Sequence, residues 1–342
     1  MTKKSAGTAE IWKALEALRA GKDPGVVAAS LGRGRQTVNN WWHRYRTFAT
    51  LGELELALDP EDTRYVQAMR RLFELKWKRD GKGFEWKRED LTEIATELGF
   101  PAPKNLGDNI YSIRHGREDL PEEIRNLAPA GKAWLLLPNG KSAYRFVLAE
   151  RAFLDPDSSK QPIKIPDSTP QLVARYAKRD EQAVLARIRY CRLVDIFMGL
   201  ASFQLQSHMR TTIAHFNGAQ TELDEVYVGV DGNGSQFVIP IQAKGQYDRI
   251  GAVQIVTDSY AVAEKFPSMI PRTLAAKMLG MELGSGGEEV YTIALIESTV
   301  APGYNVRKLR EEHFQLVPAS QITDDDLASY RRRYKPASAL KG

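Results

Sequence analysis

The sequence predicts a mixed protein of the α+β (or α/β) class, with helical modules in front and a C-terminal domain in which a mixed sheet is flanked by helices. Three observations carry this prediction. Apolar residues recur at helical spacing through much of the first half and again over Gln171 to Gly199. Two turn signals, Pro138-Asn139-Gly140 and Asp231-Gly232-Asn233-Gly234-Ser235, each sit between strand-like runs. The continuous apolar stretch from Glu289 to Ile296 has the character of a central strand.

The chain has 342 residues, enough for two or three domains with sizeable cores; its 43% hydrophobic and 27% charged content is ordinary for a globular protein. No apolar run approaches a membrane span, and Met1-Thr2-Lys3-Lys4 is not followed by a signal-like core, so a cytoplasmic location and no membrane partner are expected. The single cysteine, Cys191, excludes an internal disulfide framework and any cysteine-based zinc site, and its helical context marks it as packing. No Gly-rich phosphate loop ending in Gly-Lys-Ser/Thr is present, so no nucleotide cofactor is expected. The net charge of +5 is concentrated: residues 1–50 hold nine Lys/Arg against three Asp/Glu. A basic front module on a near-neutral body fits a nucleic-acid surface.

Taken in order, Ala9 to Ala20 is a helix by period, with Ile11, Trp12, Leu15 and Leu18 on its apolar face. Gly21-Lys22-Asp23 breaks it, and Pro24 opens the next helix. From Pro24, Ala28 falls where two helices approach, Gly32 falls in the turn, and Val38 and Trp41 fall on the buried face of the following helix. This register resembles a helix-turn-helix over residues 1–50. Its second helix would present Arg35, Gln36, Thr37, Asn39, Asn40, His43 and Arg44, with Arg33 in the turn, to base edges and phosphates of double-stranded DNA.

Residues 49–61 read as a linker, followed by a helix from Glu61 to Arg79, a second from Arg88 to Gly99 and a third from Pro103 to Arg114. The hairpin Lys132–Leu137 with Ser142–Leu148 completes a pattern over residues 60–153 that resembles a winged helix, a spacer domain being the alternative. Lys104, Asn105, Asn109, Tyr111 and Arg114 are its candidate DNA contacts.

Asp155 to Thr169, rich in Pro, Ser, Asp and Lys, reads as the clearest linker, leaving a C-terminal domain over residues 170–342. Helices are expected over Gln171–Gly199 and Ser202–His215, and a strand pair over Glu222–Val228 and Phe237–Lys244. An amphipathic helix over Arg249–Glu264 carries Gln254, Asp258 and Tyr260, and a strand is expected at Phe314–Pro318. The tail from Tyr330 to Lys335 is basic with aromatics and offers a backbone-phosphate contact. If the strand pair folds symmetrically about Asn233, Asp224 faces Gln242 and Glu222 faces Lys244. Pro240 within the second strand suggests irregularity or a sheet edge there. Two carboxylates, an amide oxygen and an ammonium then gather at one end of the hairpin, a set suited to phosphodiester hydrolysis with a hard cation such as Mg²⁺.

On these residues the stretch from about Asp180 to Ser298 resembles the PD-(D/E)xK nuclease superfamily, the fold of most type II restriction endonucleases. Asp224 matches the family's metal-binding aspartate, Gln242-Ala243-Lys244 takes the place of its (D/E)-x-K, and Gln254 resembles a glutamine on the following helix. The resemblance implies a Mg²⁺-dependent, sequence-specific DNA endonuclease acting as a homodimer. Asp224, Gln242 and the Ala243 carbonyl would be the metal ligands, Lys244 would assist the water or the phosphorane, and Glu222 and Gln254 would support them. Gln242 departs from the pattern by removing a negative charge, which leaves two alternatives open. One is a nearby carboxylate (Glu222, Glu225 or Glu181) that compensates; the other is a DNA-binding regulator that no longer cuts. A modification-dependent or repair nuclease is a third reading.

Overall fold

A computed structural model describes residues 8–46, 50, 64–78, 81–99, 110–111, 113–114, 119–176, 181–284 and 286–333. The architecture is mixed α and β. It divides into two compact units, one drawn from Met1–Leu75 with Glu89–Leu106 and the other from Lys76–Arg88 with Gly107–Gly342. Among the described residues no helix is long and apolar enough to cross a membrane.

In the first unit, α1 (Thr8–Arg19), α2 (Pro24–Ser30) and α3 (Arg35–Tyr45) form a three-helix bundle. Ala14, Val27, Ala28 and Val38 are buried together, with Leu18, Leu31 and Trp41 packed against them. Asp23 caps α2 by accepting from the Gly25 and Val26 amides, and Pro24 sits where no amide is needed. Gly32 takes φ +63° in the turn before α3, a conformation that costs a side-chain-bearing residue energy. The helix spacing read from Ala28, Gly32 and Val38 is the one observed. Two further helices, α4 (Arg64–Lys76) and α5 (Arg88–Glu97), are tied by Arg71 to Glu97 at 2.6 Å. The linker expected at 49–61 lies, apart from Thr50, outside the described residues, as do Pro103 to Asn109 of the third expected helix.

The second unit contains two sheets. The smaller is antiparallel in the order β1 (Gly83–Lys87), β3 (Ala143–Ala149), β2 (Ala133–Pro138), with the short α6 (Glu122–Asn126) preceding β2. A Cβ at Gly83 would lie 1.9 Å from the Phe146 carbonyl oxygen, so β1 can approach β3 there only as glycine. The hairpin belongs to this second unit: Leu135, Leu137 and Ala149 are buried in one cluster with Phe216, Leu223, Ile255 and Val256 of the C-terminal region.

After β4 (Ile163–Pro166) the chain forms α7 (Gln171–Tyr176), α8 (Glu181–Tyr190) and α9 (Leu193–Met198), and then the strands β5 (Ala201–Ile213), β6 (Ala219–Val230) and β7 (Gln236–Lys244). Helix α10 (Ala252–Lys265) leads to β8 (Ile270–Pro271), β9 (Thr273–Leu283), β10 (Glu289–Ala301), β11 (Asn305–Val317) and α11 (Asp324–Arg333). The main sheet runs β4-β11-β10-β9-β7-β6-β5, with β8 beside the start of β7. Two buried clusters make its core. One gathers α10 residues such as Ile255 and Val256 with Phe216 and Leu223; the other gathers Leu185 and Ile188 of α8 and Phe197 of α9 with Ile239, Ile293 and Leu316.

Several sequence expectations are corrected here. Ser202–Ile213 lies in strand β5 rather than a helix, followed by a short 3-10 turn at Ala214–Phe216; a bulge between Gln204 and Gln206 leaves Phe203 and Leu205 exposed and Met209 buried, and the strand pairs with β6 from Ala201↔Val230 to Ile213↔Ala219. The linker at Asp155–Thr169 contains β4, which pairs in parallel with Phe314–Val317. The strand expected at Phe314–Pro318 is the end of the longer β11, and Thr273–Leu283 is a strand that the sequence reading did not identify. Pro240 lies inside the sheet rather than at its edge. On that side of β7, the neighbour changes from β8 (pairing Phe237 and Val238) to β9 (pairing from Ile241), so proline falls in the gap between two partners. In the tail, the Tyr330 hydroxyl accepts from the Lys164 amide at 2.9 Å, so this ring packs against β4, while Tyr334 and Lys335 lie outside the described residues.

Asp23→Ala is predicted to destabilise the three-helix bundle by about 1 kcal/mol through the lost cap. Urea unfolding, with hydrogen exchange read at the α2 amides, checks this.

Candidate active site

The β6–β7 register, from Glu225↔Ile241 to Val230↔Gln236, is the symmetric pairing about Asn233 read from the sequence. Continued by one residue it sets Asp224 across from Gln242. There the ladder gives way to a side-chain link: the Ala243 amide donates to Asp224 Oδ2 at 3.0 Å. From Ile241 to Lys244, β7 pairs in parallel with β9, so Gln242, Ala243 and Lys244 are strongly buried. Gln242 is 1% exposed, and neither its Oε1 nor its Nε2 has a hydrogen-bond partner. Leaving a buried amide unpaired costs roughly 1–3 kcal/mol, and this cost is one that a ligand would relieve.

Lys244 is likewise buried, at 3% exposure, and its Nζ donates to Glu181 Oε1 of α8 at 3.2 Å. Helix α10 supplies two more polar groups one turn apart, Gln254, whose Oε1 is buried without a partner, and Asp258, which is buried. Burial, reinforced by the Asp224 charge, pushes the Asp258 carboxyl well above its usual range, with Lys244 opposing. Burial also pushes Asp224 up, opposed by the Ala243 N–H and the Lys244 ammonium and reinforced by Glu181. The four ionisable groups Asp224, Lys244, Glu181 and Asp258 therefore form one electrostatic unit. Asp258 was visible in the sequence four residues after Gln254, yet nothing in the strand motif pointed to it.

Glu222 stands apart from this unit. The β6–β7 ladder ends at Glu225↔Ile241, so Glu222 does not pair with Lys244 as the simple hairpin suggests. Its carboxylate meets His208 Nδ1 at 3.0 Å and Arg210 Nε at 2.8 Å on β5, and Arg210 first, then His208, hold it below the usual carboxylate range despite partial burial. His208 takes φ +50° between the Ser207↔Glu225 and Met209↔Leu223 pairs, in the place across from Asp224. A left-handed non-glycine residue inside a strand is a local strain of the kind that clusters at functional sites. Glu225 is fully buried against Arg189, Gln204 and Ser207, a structural role. Burial pushes the Cys191 thiol up to about 11, consistent with its reading as packing.

On α3, Arg35, Gln36, Thr37, Asn40 and His43 are exposed and Asn39 is half-buried. Arg33 is held otherwise: its Nε and Nη2 donate to the two Glu10 oxygens at 2.7 and 2.8 Å, tying the turn to α1. The Arg44 side chain and Lys104, Asn105 and Asn109 lie outside the described residues. Tyr111 is 46% exposed, whereas Arg114 is turned inward beside a cavity of about 130 Å³ lined by Trp134, Leu136 and Val253, and burial lowers its pKa. Among the described residues no group of three or more His, Cys, Asp or Glu side chains is arranged to hold a metal unaided. No protein-family model, curated protein or solved structure matches this chain.

Burial raises the Asp258 pKa, so the folded chain holds this proton more tightly than the unfolded one, and the group's contribution lowers stability as pH rises past its ordinary value of 3.8. Asp258→Asn, neutral at every pH, is accordingly predicted to raise the thermal midpoint at pH 7 relative to wild type. The gap should shrink toward pH 4, which metal-free calorimetry at both pH values measures.

Proposed function

We propose that this protein is a Mg²⁺-dependent DNA endonuclease of the PD-(D/E)xK kind, with α3 as its sequence reader and the β6–β7–α10 junction as its cleavage site. The observation that carries the reading is the buried Lys244 ammonium placed among Asp224, Asp258 and Glu181, with the Gln242 amide and the Gln254 Oε1 buried without partners. The strand pair β6–β7, followed by helix α10 and the parallel strand β9, is the element order such a core requires.

The residues fit a small hard cation. Asp224 and Asp258 supply carboxylates, and Gln242 Oε1 and Gln254 Oε1 are oxygens in want of a partner; Mg²⁺ commonly takes only one or two protein carboxylates and keeps several waters. When bound, the cation would polarise a scissile phosphate and lower the pKa of a bound water. Lys244 brings a positive charge to the phosphate oxygen that gains charge during attack, in a site dry enough for that charge to matter. Glu181 fixes where the ammonium points. Gln242 removes one negative charge from the strand motif, and Asp258, once cation binding displaces its proton, would restore it from the helix. That substitution favours a cutting enzyme over the second reading, a regulator that binds without cutting.

Cutting both strands calls for two such sites, and reading by helix-turn-helix pairs favours a palindromic target, so the proposal includes a homodimer on double-stranded DNA. Purified protein with unmethylated and methylated phage DNA, in Mg²⁺ and in EDTA, tests it. Discrete, metal-dependent fragments are expected, with cleavage falling by about 10²-fold or more in Lys244→Ala. Cleavage by Lys244→Ala at the wild-type rate would end the assignment. Intact DNA carrying a specific footprint on every substrate would select the regulator instead.

A further inference from the structure

Directly after Lys244, the chain turns out of β7 through Gly245-Gln246-Tyr247-Asp248 toward α10. Tyr247 is 85% exposed, more than any other large apolar or aromatic side chain among the described residues. An exposed tyrosine on a slack loop would carry no meaning. This loop is not slack. The Lys277 ammonium of β9 donates to the Gly245 carbonyl at 3.3 Å, to the Gln246 carbonyl at 3.1 Å and to the Asp248 carbonyl as well. Lys277 is the register neighbour of Lys244 on the adjoining strand, so one cation fastens the loop to the strand pair that carries the site. Its burial is unfavourable and lowers its pKa, and the three carbonyls are what it gains in return. At the loop's far side Arg249 stacks over Phe153 at 3.5 Å and pairs with Asp119 and Asp155. The backbone on both sides of Tyr247 is thereby anchored while the ring itself is left in solvent.

We infer that Tyr247 is a nucleic-acid contact of the cleavage site, its ring stacking on the nucleobases at the step beside the phosphate that Lys244 addresses, with Lys277 as the residue that positions it. This rests on the endonuclease reading for the identity of the partner. An aromatic face held rigidly out of a loop loses little conformational freedom when it wedges into a base step, and the stacking gained, about 1–3 kcal/mol per base, offsets the cost of unstacking that step of the duplex. The contact reads no base edge, so it holds the opened step in place without choosing the sequence by hydrogen bonds.

The test uses the full chain carrying Lys244→Ala, which keeps the DNA intact, and gel-shift titration of end-labelled phage DNA fragments. Tyr247→Phe keeps the ring and is expected to bind within about twofold of its parent, whereas Tyr247→Ala is expected to bind roughly 5- to 100-fold more weakly. The slope of log affinity against log salt should be the same in all three, since no phosphate contact is lost. Lys277→Met should weaken binding in the same direction with the ring still present. Because the ring is exposed, equal thermal midpoints for the three Tyr247 forms would show that folding is not the cause. Equal affinity of the Ala and Phe forms, in a protein that does bind DNA, overturns the inference and leaves the endonuclease reading standing. A parent chain with no affinity for DNA overturns the reading beneath it, and this inference with it.

Discussion

Strand β7 has different neighbours along its length, and the placement of the site depends on this change. Its first half lies against β6 in an antiparallel ladder and against the short β8, and its second half runs parallel to β9. A parallel neighbour demands a crossover, and the crossover here is α10, which packs back over β7 and so brings Asp258 into electrostatic reach of Asp224 and Lys244. Where the β6 ladder stops, Asp224 bonds the Ala243 amide and holds the two strands together by a side chain instead. Proline is tolerated at position 240 for the same reason, because it falls between the two partners on one side.

That geometry explains the charge balance better than the strand motif does. The buried end of β7 already faces Asp224, Asp258 and Glu181, against the single ammonium of Lys244. A fourth carboxylate at position 242, which is 1% exposed, would add repulsion to Asp224 and Asp258, whose pKa values burial has already displaced upward. An amide of nearly the same shape keeps an oxygen there without that cost. In the proposed reading, glutamine at 242 and aspartate at 258 are two halves of one exchange, a charge moved from strand to helix.

The parts legible in the sequence were those fixed by local chemistry. The three-helix bundle was announced by Asp23-Pro24, Ala28, Gly32 and Val38, each of which has a conformational or packing reason to be where it is. The β6–β7 register followed from the turn at Asp231 to Ser235. What escaped was set by distant partners. Strand β5 looks helical over short windows, and its identity comes from pairing with β6 along its length; β4 is too short to announce itself until β11 lies beside it. Asp258 was invisible as a site residue for a similar reason. A helix position gains meaning only once the helix is docked.

A last distinction separates what the site holds fast from what it leaves open. Asp224 has the Ala243 amide, Lys244 has Glu181, and Lys277 has its three carbonyls, so these charged groups and the adjoining loop are held in the free protein. The groups left without partners are the amides, Gln242 on both its atoms and Gln254 on its oxygen. A framework that merely stabilised the fold would gain by satisfying those amides or by replacing them with apolar side chains of similar volume. In the proposed reading, these unpaired amides lie beside a prearranged set of charges and are completed by the bound cation and DNA.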